Sequence, residues 1–270
     1  MTTTKSIASI NGISIAYRDR GSGAAVVFVH GHPFDQSMWD PQVAALSWKY
    51  RTITLDLRGY GKSEVPNINA TTLETMAADI KGLLDHLGIQ KTVVVGLSMG
   101  GQVAMAFADL FPERLTGLVL AGTFAEADTA EAAAARRAMA DRFVNEGSVL
   151  PGGEMLPKLL AAPSMKRDPA LAVTVYTMIA NAPPEGAAAA LRGRALRKDY
   201  LPTLRRLAVP ALIMVGTQDQ FSPLERAQQM HEAIPSARLV VFDETGHMLN
   251  LEAPDRFNAS LHEYLESIPQ

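Results

Sequence analysis

The 270-residue sequence contains no cysteine. It therefore has no disulfide, no thiolate metal ligand and no thiol nucleophile. The absence fits a reducing compartment, and a cytoplasmic location is expected. No apolar run approaches the roughly 20 residues that a membrane helix needs, so no membrane partner is expected. Met1-Thr2-Thr3-Thr4-Lys5 lacks the basic-then-apolar build of a signal peptide. There is no block of basic residues, and a net charge of −3 gives no footprint for nucleic acid. No internal repeat is visible. The length fits one large domain, or one domain carrying an insertion.

What is present is an alternation of strands and helices. Residues 7–10 and 13–17 read as a hairpin around Asn11-Gly12. Residues 25–29 are apolar on both faces, as a central parallel strand covered on both sides would be. Further strands are expected at 52–55, 92–95, 115–121, 211–215 and 239–242. Helices are expected at 39–48, 101–111, 224–233 and 253–268, and another after Thr71, which with Glu74 resembles a capping box. Residues 123–202 show no strand pattern, and helical runs fit between their prolines at 128–145, 153–161, 169–180 and 184–198. The whole pattern argues for a parallel α/β sheet whose ligands bind at the carboxyl ends of its strands. His30, Asp56, Ser98, Asp219 and His247 each follow an expected strand, so all fall along that edge.

Ser98 lies in Gly96-Leu97-Ser98-Met99-Gly100, at an expected strand-to-helix corner. A chain reversing there holds the serine in a sparsely populated conformation and pushes its hydroxyl out above a helix N-terminus. That placement suits a nucleophile, although a plain turn containing a serine has the same spelling. A serine hydroxyl needs a neighbouring base. His86, His231 and His262 sit in helical patterns near charges and read as solvent-facing. His247 instead follows Gly246 in a loop between the last strand and the last helix, where the ring can be turned inward. A carboxylate must then orient the imidazole. Asp219, in Gly216-Thr217-Gln218-Asp219, is the candidate; Asp128 is the alternative, and Asp243 ranks lower because it sits at the strand end itself.

Taken together, these segments resemble the α/β-hydrolase fold superfamily. The matching parts are His30-Gly31-x-Pro33, the Asp-x-Arg-Gly-x-Gly-x-Ser run from Asp56 to Ser63, and Gly-Leu-Ser-Met-Gly-Gly from Gly96 to Gly101. Gly-x-x-Asp ending at Asp219 and Gly246-His247 complete them in the family's order. The resemblance implies an α/β fold with a mostly parallel eight-stranded sheet flanked by helices. It also implies a core of residues 1–122 and 203–270, with a helical cap at 123–202. It gives Ser98, His247 and Asp219 the roles of nucleophile, base and acid, with no cofactor. The oxyanion hole should take one backbone N–H from Met99 and one from His32, since Pro33 has none to offer. His30 then pins the loop. His30-x-His32 with Asp35 also resembles a zinc loop in outline, but the further histidines of such loops are missing and no metal is expected.

Within the superfamily, residues 37–46 and the serine elbow look like 3-oxoadipate enol-lactonases. The His-Gly-x-Pro loop looks more like aryl esterases and the related cofactor-free haloperoxidases. The resemblance implies hydrolysis of a small ester or lactone. Perhydrolysis, C–C bond hydrolysis and a ligand receptor on the same fold would keep the same residues. Met139, Met155, Leu156 and Met165, with Phe34, Phe143, Tyr176 and Met178, are the apolar candidates for a substrate pocket, and at least half of the cap residues among them are expected to be cap core. Arginines from Arg136 to Arg197 offer partners for a substrate carboxylate, but solvated helix faces are the preferred reading for them.

Overall fold

Apolar runs without a polar face become the middle of the sheet. The computed structural model describes residues 5–234 and 236–268; Met1 to Thr4, whose leader features were considered above, lie outside them. The strands are β1 (Lys5–Ile10), β2 (Ile13–Arg20), β3 (Ala25–Val29), β4 (Arg51–Leu55), β5 (Thr92–Leu97), β6 (Leu115–Ala121), β7 (Ala211–Gly216) and β8 (Ala237–Phe242). They form one sheet in the order β1-β2-β4-β3-β5-β6-β7-β8. β2 is antiparallel to both β1 and β4, and the remaining neighbours are parallel. Along β3, Val27 and Val29 enter one core while Val26 and Phe28 enter the other. Side chains alternate across a strand, so a strand covered on both faces must be apolar throughout.

Helices α1 (Asp40–Leu46), α2 (Leu73–His86) and α3 (Met99–Leu110) lie in the first half of the chain. Six more, α4 (Ala130–Glu146), α5 (Val149–Leu159), α6 (Ala162–Arg167), α7 (Pro169–Ala180), α8 (Pro184–Arg194) and α9 (Leu201–Arg205), separate β6 from β7. The chain ends with α10 (Leu224–Ala233), α11 (Leu249–Glu252) and α12 (Pro254–Ser267). Leu83 of α2, Phe107 of α3 and Met230 of α10 fill one core; Leu46 of α1 and Phe257 and Leu261 of α12 fill the other. Among the described residues, no helix is long and apolar enough to cross a membrane.

One local expectation shifts. Thr72, not Thr71, caps α2, its hydroxyl accepting from the Thr75 N–H. Thr71 is instead buried and donates its own N–H to the Ala189 carbonyl of α8. Glu74 is drawn away from the cap and accepts from the Tyr200 hydroxyl at 2.6 Å. Residue 202 lies in α9. The alanine-rich stretch of α8 is buried. A Cβ at Gly186 would lie 1.8 Å from the Gly59 carbonyl oxygen, so this helix meets the core backbone to backbone.

The parallel register sets the strand ends level. Val29 stands opposite Gly96, Leu97 opposite Ala121, and Gly216 opposite Phe242. The loops that follow therefore meet along one edge, below the helices of the β6–β7 connection.

Candidate active site

Ser98 occupies the corner between β5 and α3 with φ 56 and ψ −119. This is a strained conformation for a residue with a side chain, and it is held from every direction. The Ser98 N–H donates to the Ala121 carbonyl, continuing the ladder into β6. Its carbonyl accepts from the N–H groups of Gly101 and Gln102 and from the Thr123 hydroxyl. A Cβ at Gly96 would meet the Gly100 oxygen at 2.2 Å, and one at Gly100 would meet the Val29 oxygen at 2.1 Å. The corner cannot close with any other residue at these two places.

His247 and Asp219 stand on the loops after β8 and β7. Both are buried. His247 Nδ1 lies 2.8 Å from Asp219 Oδ2 and 3.0 Å from Oδ1. Asp219 Oδ1 also accepts the N–H groups of Phe221 and Ser222, which locks the carboxylate plane. The alternatives are engaged elsewhere or exposed. Asp128 takes Arg136 and Arg197 as ion-pair partners, and Asp243 is exposed. Burial works to raise the Asp128 pKa, but the two guanidinium groups outweigh it and hold the carboxyl at about 2.

Ser98 and His247 line one cavity of about 210 Å³. No hydrogen bond joins them among the described residues; such bonds are often long before substrate arrives. His32 and Gln102 also line the cavity, with Thr123 and Phe124 after β6 and Phe221 and Ser222 after β7. The helices above contribute Arg136 and Met139 from α4, Met155 and Leu159 from α5, and Leu191 and Arg194 from α8. Met99 begins α3 directly behind Ser98.

The two histidines of the β3 loop are used differently. His30 is fully enclosed; its Nε2 accepts the Leu57 N–H at 2.9 Å and its Nδ1 donates to the Gly31 carbonyl at 2.8 Å. This ring ties the β3 loop to the β4 loop. Burial lowers its pKa, so it stays neutral. His32 Nδ1 pairs with the Tyr60 hydroxyl at 2.7 Å, and its Nε2 is buried without a partner among the described residues. Burial, then the charges of Arg194 and Arg136, push the His32 pKa well down.

Of the apolar candidates, Phe34, Phe143, Tyr176 and Met178 do not line the cavity. Phe34 is buried with Met38 and Trp39 in the core beneath the β3 loop. Met178 is buried within the helical segment beside Val175 and Ile179, and Tyr176 is half-buried on the same helix. Phe143 comes nearest, packing edge-on against His32 with ring centroids 5.4 Å apart. Helical periodicity marks the inward stripe of such helices but does not say which part of that stripe overhangs the serine. Met139 and Met155, chosen on the same pattern, do line the cavity, whereas Leu156 and Met165 do not.

Arg194 was concealed by its composition. It sits at the end of α8 among charged residues, yet it is only 7% exposed. Its Nε donates to Gln102 Oε1 at 3.0 Å, and it forms no ion pair among the described residues. Burial, then the neighbouring charges of Arg136 and Arg197, pull its pKa well below the arginine range. No local signal separates it from Arg192, which is paired with Asp141 on the surface.

Comparisons with known proteins agree with this arrangement. The profile of the alpha/beta hydrolase fold family matches residues 24–254. The thermophilic esterase of Thermogutta terrifontis, solved with malate bound, superposes with a TM-score of 0.94 at 39% identity, over 97% of this chain and 98% of its own. The 3-oxoadipate enol-lactonase 2 of Acinetobacter baylyi is 30% identical across 95% of this chain and 93% of its own. The bromoperoxidase of Bacillus anthracis superposes with a TM-score of 0.87 at 27% identity, covering 98% of this chain and 100% of its own. The family likeness spans the sheet, the elbow and the loops at its edge, and the chain belongs to the α/β-hydrolase fold family.

Proposed function

We propose that this chain is a serine hydrolase that cleaves a small carboxylic ester or lactone through an acyl-enzyme. One observation carries the reading. A serine held at positive φ on a strand-to-helix corner lines the same cavity as a histidine whose far nitrogen is 2.8 Å from a buried carboxylate. In this reading Asp219 keeps the proton on His247 Nδ1, leaving Nε2 free to take the proton of Ser98. Ser98 Oγ attacks the carbonyl carbon, and the oxyanion is held by the N–H groups of Met99 and His32. Neither N–H donates a hydrogen bond among the described residues, which leaves both available. His247 then protonates the leaving alkoxide. Water, deprotonated by the same ring, releases the acid. Each hole donor is worth roughly 3–4 kcal/mol of transition-state stabilisation.

The segment 123–202 acts as the cap. Its helices supply Arg136, Met139, Met155, Leu159, Leu191 and Arg194 to the cavity, which supports that division of the chain. The small volume favours a short acyl group. The lack of cysteine fits action in a reducing cytoplasm.

Arg194 sharpens the substrate class. A buried guanidinium without a carboxylate is incompletely compensated, and a substrate carboxylate would complete it. The malate held by the Thermogutta esterase supports the same chemistry. Arg194→Met is expected to raise KM for the mono-p-nitrophenyl ester of a short dicarboxylic acid by about 10- to 150-fold, the value of a charged hydrogen bond of about 1.5–3 kcal/mol. KM for p-nitrophenyl acetate should change by less than about threefold. Equal losses on both substrates would remove the carboxylate from the proposal.

The reaction class itself is tested by trapping. Diethyl p-nitrophenyl phosphate is expected to inactivate the protein and leave one phosphoryl adduct, found by peptide mass spectrometry on Ser98. Full labelling of another residue, with Ser98 unmodified, sinks the reading.

A further inference from the structure

Glu252 is a buried carboxylate with no cationic side chain paired to it among the described residues. Backbone N–H groups compensate it instead. Its Oε2 accepts from Gly246 at 3.0 Å and from Ala161 at 2.9 Å, and its Oε1 accepts from Met248 at 3.1 Å. Two of these donors flank His247 on either side. The N–H of His247 itself donates to the Leu159 carbonyl at 2.9 Å, at the end of α5. Three consecutive peptide groups around the imidazole are thus fixed, two of them by one carboxylate, with the Met248 N–H shared between Glu252 and the Leu159 carbonyl at 3.3 Å.

The packing leaves no slack. A Cβ at Gly246 would lie 2.7 Å from the Ala161 nitrogen and 3.0 Å from Glu252 Oε1. The backbone carbonyl of Glu252 accepts from the Arg167 guanidinium at 3.0 Å, so the residue is anchored through its main chain as well. α11, which carries Glu252, is the first turn after the histidine loop. The carboxylate therefore folds back onto the loop that leads into its own helix.

We infer that Glu252 is a positioning residue for His247, setting the imidazole against Ser98 by holding the N–H groups of Gly246 and Met248. The inference rests on the reading of His247 as the base. The side chain touches no reacting atom. It acts by placement, and misplacement of a base by about 1 Å costs on the order of 100-fold in rate.

Glu252→Gln is the informative change. The amide keeps the shape but has one acceptor oxygen. If that oxygen faces Gly246 and Ala161, the NH₂ group confronts the Met248 N–H, and the flipped amide fails the other pair. With p-nitrophenyl acetate, kcat should fall by about 10- to 100-fold while KM stays within about threefold. Glu252→Asp restores two acceptor oxygens on a shorter arm and should recover part of kcat. Ser98→Ala is assayed beside them. A Glu252→Gln protein with kcat within twofold of wild type overturns the positioning role, provided Ser98→Ala is inactive. Activity in Ser98→Ala instead overturns the serine reading on which it rests. If neither Glu252 variant gives the wild-type circular dichroism spectrum, the residue serves folding alone and the inference is also overturned.

Discussion

Ser98→Ala is expected to lower kcat for a short p-nitrophenyl ester by about 10⁴-fold or more, with an unchanged melting temperature. The size of the loss follows from what is removed. In the proposed mechanism no acyl-enzyme can form without the hydroxyl, and what remains is hydrolysis helped by the oxyanion donors and by binding, about 10³- to 10⁴-fold above water. The unchanged stability follows from the local structure. The Ser98 backbone carries the ladder bond to Ala121 and the bonds to Gly101, Gln102 and Thr123, whereas its hydroxyl makes no hydrogen bond among the described residues. Alanine at φ 56 bears nearly the same strain as serine, so the corner is preserved. Stopped-flow and steady-state assays on the purified variant, with thermal unfolding in parallel, separate the two effects. Activity at the wild-type level would mean that another group forms the acyl-enzyme, or that none is formed.

The elements legible in the sequence are those whose cause is local. β3 and β5 are apolar on both faces because each is covered on both faces, and their runs say so. Asn11 and Gly12 both take positive φ, as a two-residue hairpin turn demands. The loops bearing His30, Ser98, Asp219 and His247 follow strands, and parallel register alone brings strand ends level. The residues that were not legible answer to tertiary partners. Thr71 and Thr72 are equally good caps by type, and the contact of Thr71 with Ala189 decides between them. Arg194 looks like any arginine at the end of a helix until α8 is seen pressed against the core. Met178 and Met139 share a helical pattern, yet one packs beside Val175 and the other overhangs Ser98. Glu252 lies five residues beyond His247 in a helical turn, and nothing in its own neighbourhood of sequence tells that its carboxylate turns back.

The cavity is also uneven in charge. Asp128 satisfies Arg136 and Arg197 together, with contacts of 2.8 Å to each. That arrangement engages the Asp128 carboxylate and leaves Arg194 to Gln102, a neutral partner. His32, which also lines the cavity, is kept neutral by burial and by the charges of Arg194 and Arg136. Among the described residues, Arg136 and Arg194 line the cavity and no carboxylate does. In the proposed reading, such a site favours an anionic group over a cationic one.

Asp219→Asn is expected to reduce kcat by about 10³- to 10⁴-fold, and the hydrogen bonds explain why so small a change should cost so much. Oδ1 of Asp219 accepts from the N–H groups of Phe221 and Ser222 at 2.8 and 2.9 Å. The asparagine carbonyl must take that position, since an NH₂ group there would face two donors. The NH₂ group then replaces Oδ2, the atom 2.8 Å from His247 Nδ1. The carbonyl oxygen 3.0 Å from Nδ1 is already shared by two N–H groups, so Nδ1 facing the closer NH₂ donor is favoured as an acceptor, with the imidazole proton on Nε2. A ring protonated there cannot accept the proton of Ser98. The loop keeps its hydrogen bonds, so the variant should fold normally and bind substrate with little change in KM. Asp128→Asn provides the contrast. Its carboxylate serves Arg136 and Arg197 rather than His247, and its loss should lower kcat by less than about tenfold. If Asp128→Asn were the inactive variant and Asp219→Asn the active one, the acid would be Asp128, acting in a conformation in which it has left both arginines.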